Sequence, residues 1–302
     1  MNDLPAATER PARLAVGIVG TGRVGAVLGA ALHQAGHRLV AASGVSEQSR
    51  ARAAELLPGI PITTVEEVIE RSELVLLTVP DDALPALIAG LSATGSWQAG
   101  QLVVHTSGRY GTAIFEAAAG HRILGLALHP AMTFTGTSMD LLRLADCCFG
   151  ITAPEALRAV AEALVLEMGA EPVWIQEQDR PMYHAGLAHG SNHLVTLVAQ
   201  AMQVLGSAGV QDPQRLIAPL LHAALDNALR LGDAALTGPV ARGDAGTVAA
   251  HLAQLNEQTP DIRPTYVALA RATAERALAS GRLAAVDAEP LLDILAAPEE
   301  RS

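Results

Sequence analysis

The sequence contains no lysine; all 20 of its Lys+Arg residues are arginine. Any mechanism that needs a lysine acid, base or Schiff base is therefore excluded. Aromatic residues are only 3% of the chain, so the core must be mostly Ala, Leu and Val, which suits packed helices. Cysteine is confined to the adjacent pair Cys147 and Cys148, too few for a disulfide framework or a zinc site. A reducing cytoplasm is the simplest home for such a chain. No apolar run approaches the roughly 20 residues of a membrane helix. Positive charge is also in deficit. The net charge of −11 argues against a nucleic acid or an anionic membrane as partner. Met1 to Ala12 is polar and mixed in charge, and reads as a frayed tail rather than a secretory signal.

What remains is ample for folding. With 302 residues, half of them apolar, the chain is long enough for two domains. The apolar run Leu14 to Val19 reads as a buried parallel strand. Gly20, Gly22 and Gly25 follow as G-x-G-x-x-G, and Val24 to Ala35 continues as a helix. Gly20 permits the tight turn, Gly22 close approach of a pyrophosphate, and Gly25 close helix–strand packing. Phosphates are favoured at the helix N-terminus, where free N–H groups and the dipole attract anions. Strand, glycine turn, helix and second strand together predict a dinucleotide site that includes Thr21, Arg23 and Val24. The second strand, His37 to Ser43, ends without the acidic residue usual in NAD-selective sites. Ser43, Ser46, Ser49, Arg50 and Arg52 follow instead. Hydroxyls and guanidinium groups suit a 2′-phosphate, so NADP(H) is favoured over NAD. The plainer alternative makes Arg50 and Arg52 the exposed face of a helix.

The strand–helix alternation continues to residue 175. Glu73 to Pro80 is a buried strand whose end, with Val79 and Pro80, is expected to line the cofactor; Asp81 and Asp82 then cap a helix. Gln101 to Gly108 ends in His105, Thr106 and Ser107, and Ile123 to Pro130 ends in His129-Pro130. Polar groups at carboxyl strand ends are where open α/β sheets bind ligands. Thr106 is assigned to the cofactor, Ser107 and His129 to the substrate; the alternative for each is a capping or turn role. Asp146 to Thr152 and Glu171 to Ile175 read as the last strands, with Cys147 and Cys148 as core filling. Helices are expected over 180–206, 211–231, 244–256, 261–280 and 289–295. The expected division is a tail over 1–12, a dinucleotide-binding domain over 13–178 and a helical substrate and dimerisation domain over 179–302.

Inside the first long helix, His184, Ala188, Ser191 and Asn192 are spaced by three and four, so they share one face. His189 and His193 form a second pair, but no third ligand accompanies them, and a metal is not expected. Polar side chains in an apolar helix cost free energy unless paired or used. With lysine absent, His184 is the expected general acid, with Ser191 and Asn192 beside it; satisfied interior histidines are the alternative. A third stretch, Leu236 to Asp244, is a loop that ends at a helix N-cap. From it Thr237, Arg242 and Asp244 could reach a substrate carboxylate or hydroxyl, although a glycine-rich turn with a good cap is equally consistent.

Gly20 to Gly25, His105 to Gly108, His129-Pro130, Tyr183 to Leu197 and Thr237 to Asp244 together resemble a bacterial family of formerly unknown function. That family joins a Rossmann-like domain to a helical C-terminal domain and is similar to the 6-phosphogluconate dehydrogenase and ketopantoate reductase superfamily. The resemblance covers nearly the whole chain. It implies an α/β fold, a doubly wound Rossmann sheet followed by an all-α domain like the C-terminal domain of 6-phosphogluconate dehydrogenase. It also implies a homodimer paired through long helices, and reduction of ketopantoate to pantoate with NADPH. Usual ketopantoate reductases place a catalytic lysine eight residues before an asparagine; here His184 and Asn192 have that spacing, and the lysine is missing. Either His184 replaces it or the substrate differs. The alternatives are another 3-hydroxy acid, a cyclic imine, or a non-catalytic NADP-binding sensor.

Overall fold

A computed structural model describes residues 13–296, and the expectation for the N-terminal tail falls outside them. The chain divides into two compact units, Met1–His189 and Gly190–Ser302. Seven strands form one sheet: β1 (Ala15–Val19), β2 (Arg38–Ser43), β3 (Leu74–Leu77), β4 (Leu102–His105), β5 (Leu124–Pro130), β6 (Cys148–Thr152) and β7 (Glu171–Trp174). Their order is β2-β1-β3-β4-β5-β6-β7. Every pairing is parallel except β5 with β6. The sequence leaves β1 in one direction to make β2 and in the other to make β3. Strand order thus reverses at β1, which creates the crevice where such sheets bind ligands.

The helices of this unit are α1 (Arg23–Gln34), α2 (Glu47–Leu56), α3 (Val65–Glu70), α4 (Leu84–Ala93), α5 (Met139–Arg143) and α6 (Arg158–Glu167). A 3₁₀ stretch, Thr112–His121, lies between β4 and β5. Alternation along each strand divides the core between two faces. Val16, Ile18, Leu74 and Leu76 pack with α1 and α6 in one cluster. Val75, Leu77 and Val103 pack with α3 and α4 in the other. Helices cover both faces, as a mostly parallel sheet requires, and the expected α/β architecture is the one observed.

The second unit holds most of α7 (Arg180–Ser207), then α8 (Pro213–Leu231), α9 (Gly238–Ala241), α10 (Ala245–Gln258), α11 (Arg263–Ala279) and α12 (Ala285–Ala296). Its buried core comes from α9 to α12 and the turn before α12, among them Val248, Leu252, Ala274 and Leu291. No helix among the described residues is long and apolar enough to cross a membrane.

Three details depart from the sequence reading. The helix after Pro80 has Ala83 at its N-cap with no side-chain bond, so neither Asp81 nor Asp82 caps it. Pro85 in the first turn removes a donor that a carboxylate would otherwise take. Cys147 is in the core, where burial pushes its thiol up to about 11. Cys148 is exposed and so is not core filling. The 3₁₀ stretch was not expected at all. Its N-terminus is held by Glu177, distant in sequence, whose carboxylate accepts from Thr112 N and Thr112 Oγ1 (2.7 and 3.2 Å) and from Ala113 N (3.2 Å).

Candidate active site

The glycine turn closes over the reversal point of the sheet. Gly20 has φ +99°, a conformation that only glycine adopts without strain. The N–H groups of Gly20 and Thr21 both donate to Ser43 O (3.1 and 3.0 Å), which ties the turn to the end of β2. Thr78, just past β3, donates from Oγ1 to Val19 O and Gly20 O. A Cβ on Gly25 would stand 2.1 Å from Gly20 O, so helix and turn are in contact there. A Cβ on Gly22 would meet nothing within 4 Å. The cradle is therefore packed behind and open in front, which fits a pyrophosphate on the N-terminus of α1.

The candidate cofactor residues divide by what their side chains already do. Thr21 is buried and its hydroxyl donates to Ser49 O at 3.0 Å, so it supports the turn rather than facing outward. Ser43 is buried and contributes its backbone. Ser46 is the N-cap of α2, with Oγ accepting from Ser49 N at 3.1 Å. Arg23 and Arg50 are exposed and Arg52 half-buried. No ion pair among the described residues engages these three. A Cβ on Gly136 would meet Arg52 Nε and Arg23 Cγ at 2.5 and 3.1 Å, so these two cations share one place beside the turn. Val24, Val79 and Thr106 are half-buried and Pro80 exposed.

A second group is assembled at the ends of β4, β5 and β6. Arg180, in the first turn of α7, is completely buried. Its guanidinium donates to Thr152 Oγ1 (2.8 Å), Gly150 O (2.8 Å), Ala127 O (3.1 Å) and Ser107 O (3.3 Å). One side chain thereby fastens three strand ends to the long helix. Burial lowers its pKa to about 10, so it stays charged near neutrality. Tyr183 follows one turn later. Its hydroxyl lies 2.8 Å from His129 Nδ1. Gly150, opposite His129 in the β5–β6 register, makes room for the phenol: a Cβ there would be 2.4 Å from Tyr183 Oη.

His184 completes the group. Its ring centroid is 6.2 Å from that of His129, edge to face. Gly108 separates the two rings; a Cβ on it would be 2.7 Å from His184 Cδ2 and 2.9 Å from His129 Nε2. Burial, Arg180 and His184 push His129 down to about 4, and burial with Arg180 nearby brings His105 to about 4 as well. Both are neutral at pH 7. His105 is fixed structurally: Nδ1 accepts from Ser107 N (3.2 Å) and Nε2 donates to Gly111 O (2.9 Å). For His129, accepting the Tyr183 hydroxyl at Nδ1 puts the proton on Nε2, toward Gly108. No group among the described residues hydrogen-bonds either ring nitrogen of His184. Ser107 is buried, and its Oγ accepts from Arg109 N and Tyr110 N (3.2 and 3.3 Å). Its turn role is thus real, and its O–H is left to donate.

Among the other substrate candidates, Ser191 and Asn192 are exposed on α7. Thr237 is the N-cap of α9, without a side-chain cap bond. Asp244 caps α10, as expected, accepting from Thr247 N (3.0 Å) and Thr247 Oγ1 (2.7 Å), bonds that hold its carboxyl below the usual range. Arg242 is exposed. No group of three or more His, Cys, Asp or Glu that could hold a metal occurs among the described residues. Sequence reasoning gave no role to Tyr183 and read Arg180 only as a helix start. Gly150 was the available signal, because a glycine inside a strand marks a close approach from another element.

Residues 2–130 match the model of a Rossmann-like domain. Residues 147–273 match that of DUF2520, a domain of unknown function. The chain is a Rossmann-like domain joined to a DUF2520 domain. No curated protein matches the sequence. Among solved structures, a Bacteroides fragilis protein assigned as an NADP oxidoreductase is similar at 22% identity, with TM-score 0.73 over 87% of this chain and 98% of that one. An imine reductase from Myxococcus stipitatus in complex with NADP+ is similar at 19% identity and TM-score 0.62, over 89% of this chain and 95% of that one. Pyrroline carboxylate reductase of Plasmodium falciparum with NADP bound follows at 12% identity and TM-score 0.56, over 89% and 98%. At these identities the likeness is one of fold.

Proposed function

We propose that this chain is an NADPH-dependent oxidoreductase acting on a small 2-oxo acid, with 2-dehydropantoate (ketopantoate) reduced to pantoate as the leading reaction. The carrying observation is one unit that holds both an open glycine cradle and, at neighbouring strand ends, His184 with free ring nitrogens beside a neutral His129. Residues 13–178 serve as the cofactor domain and 179–302 as the substrate and dimerisation domain of a cytoplasmic homodimer.

Gly20, Gly22, Gly25 and the first turn of α1 would hold the pyrophosphate. Arg23, Arg50, Arg52 and Ser46 would take a 2′-phosphate, since guanidinium forks match phosphate geometry. Val79, Pro80 and Thr106 would line the nicotinamide side. NADPH, when bound, supplies the hydride. As a 2-oxo acid is reduced its carbonyl oxygen gains negative charge and must receive a proton. His184 donates that proton, as a positioned histidine does in general acid catalysis. His129 cannot be the acid at pH 7 because it carries no extra proton. It orients Tyr183 and presents Nε2–H instead. Ser107, whose O–H is left to donate, holds the substrate hydroxyl or carbonyl.

The fold likeness to an imine reductase and to pyrroline carboxylate reductases favours a second reading, reduction of a cyclic imine. A panel of ketopantoate, other 2-oxo acids, 3-hydroxy acids and cyclic imines, followed by NADPH absorbance, tests both. Saturable oxidation of NADPH with ketopantoate is expected. Turnover only with imines favours the second reading, and tight NADPH binding with no turnover would make the protein a sensor.

A further inference from the structure

The segment that joins β5 to α5 reads Ala131-Met-Thr-Phe-Thr-Gly-Thr-Ser138. The cofactor site described above includes none of it. Phe134 is buried in the cluster that also holds Val27, Leu28 and Ala31 of α1 and Ala53 of α2. The segment is therefore seated on the two helices that follow β1 and β2, beside the glycine turn.

Its tip is built by one carboxylate. Asp140 is completely buried. Its Oδ2 accepts from Thr135 N (2.8 Å) and Gly136 N (2.7 Å), and its Oδ1 from Thr135 Oγ1 (3.0 Å) and Arg143 Nη1 (3.3 Å). Asp140 N in turn donates to Thr137 O at 3.0 Å. The middle residue, Gly136, has φ +80°. A Cβ on it would stand 2.5 Å from Arg52 Nε and 3.1 Å from Arg23 Cγ. Glycine is thus required twice here, by the backbone angle and by the two arginines.

These arginines lack any counter-charge. The chain has 31 acidic residues against 20 arginines, yet no ion pair among the described residues engages Arg23 or Arg52. The oxygens of Asp140 are already committed to the turn and to Arg143. Arg23 opens α1 and Arg52 lies in α2, so two elements bring cations to one side of the open cradle. Long side chains lose rotamer freedom when they close on a ligand, and holding them in place beforehand recovers affinity.

We infer that the turn Thr135–Ser138 is a wall of the cofactor's phosphate site: Gly136 seats Arg52 and Arg23 to receive the 2′-phosphate of NADPH, and Asp140 is the positioning residue that holds the turn. Asp140 acts only through the turn. This rests on the NADPH reading above and adds the segment that sets its selectivity. A phosphate between two held guanidinium groups gains forked, charge-assisted bonds. NADH has no 2′-phosphate to use them.

Affinities of the full-length protein for NADPH and for NADH, by fluorescence titration, test this. Wild type should prefer NADPH. Arg52→Ala should weaken NADPH about tenfold or more and leave NADH within about twofold. Asp140→Asn and Gly136→Ala should move the same way, with NADPH about fivefold to tenfold weaker and NADH within about twofold. A turn of purely structural value would lower the melting temperature and leave the ratio of the two affinities alone. Thr135→Val, at an exposed position, loses one of the same bonds and carries the test should either variant fail to fold. A ratio unchanged in Arg52→Ala would overturn the phosphate placement and the inference with it. A ratio changed by Arg52→Ala but by none of the turn variants would overturn the role of the turn alone.

Discussion

The Tyr183 hydroxyl meets Nδ1 of His129 at 2.8 Å above a position in β6 that has no side chain, Gly150. Burial raises the phenol pKa, and burial, with Arg180 nearby, keeps His129 neutral. The bond is therefore one between neutral partners. Tyr183→Phe should cost about 1 kcal/mol in urea unfolding, the net worth of such a bond. Gly150→Ala should cost more, because the phenol must leave its place. Equal stability of Gly150→Ala and wild type would contradict the packing described.

Arg180 is the principal fastener of the strand ends. Arg180→Met keeps the stem and removes the guanidinium, leaving Gly150 O, Ala127 O and Thr152 Oγ1 short of a buried donor. Each unsatisfied buried group costs about 1–3 kcal/mol. A loss of about 3 kcal/mol or more is expected by chemical denaturation. A loss under about 1 kcal/mol would show that the carbonyls find other donors.

Two glycines of one motif should behave differently. Gly25→Ala drives a Cβ against Gly20 O, so it should lower the melting temperature even without ligand. Gly22→Ala meets no protein atom. It should melt like wild type and lose NADPH affinity tenfold or more by fluorescence titration. Undiminished affinity in Gly22→Ala would remove the pyrophosphate from this cradle.

Acid should destabilise the first unit. His105 and His129 have folded pKa values of about 4 against 6.5 unfolded. Between those values the unfolded chain binds more protons, so stability rises with pH across that window and is complete above it. For His105 alone the shift corresponds to an order of 3 kcal/mol. Asp140 adds to the loss at lower pH. Burial raises its pKa, but bonds from Gly136 N, Thr135 Oγ1 and Thr135 N outweigh this and hold it low. Unfolding free energy should fall steadily from pH 6.5 toward 4. In His105→Asn the slope over that interval should shrink, and an unchanged slope would assign it elsewhere.

Much of the fold could be read in the sequence because its signals are local. Apolar runs, glycine turns and helical spacing placed all seven strands and the long helices to within a few residues. What escaped depends on distant partners. Thr112–His121 takes its shape from Glu177, and Tyr183 gains meaning only from Gly150 and His129. Thr21 and Ser46 looked like ligand contacts because hydroxyls near phosphates usually are. Their bonds to Ser49, which no local signal reveals, also support the turn and cap α2.

The central claim is that His184 supplies the proton once NADPH is in place. The direct measurement compares His184→Ala with wild type for ketopantoate turnover and for NADPH dissociation constant. The account predicts turnover reduced 10²-fold or more, in the range of general acid catalysis, with NADPH affinity within twofold. Turnover that is undiminished, or that falls only in step with NADPH affinity, would contradict it.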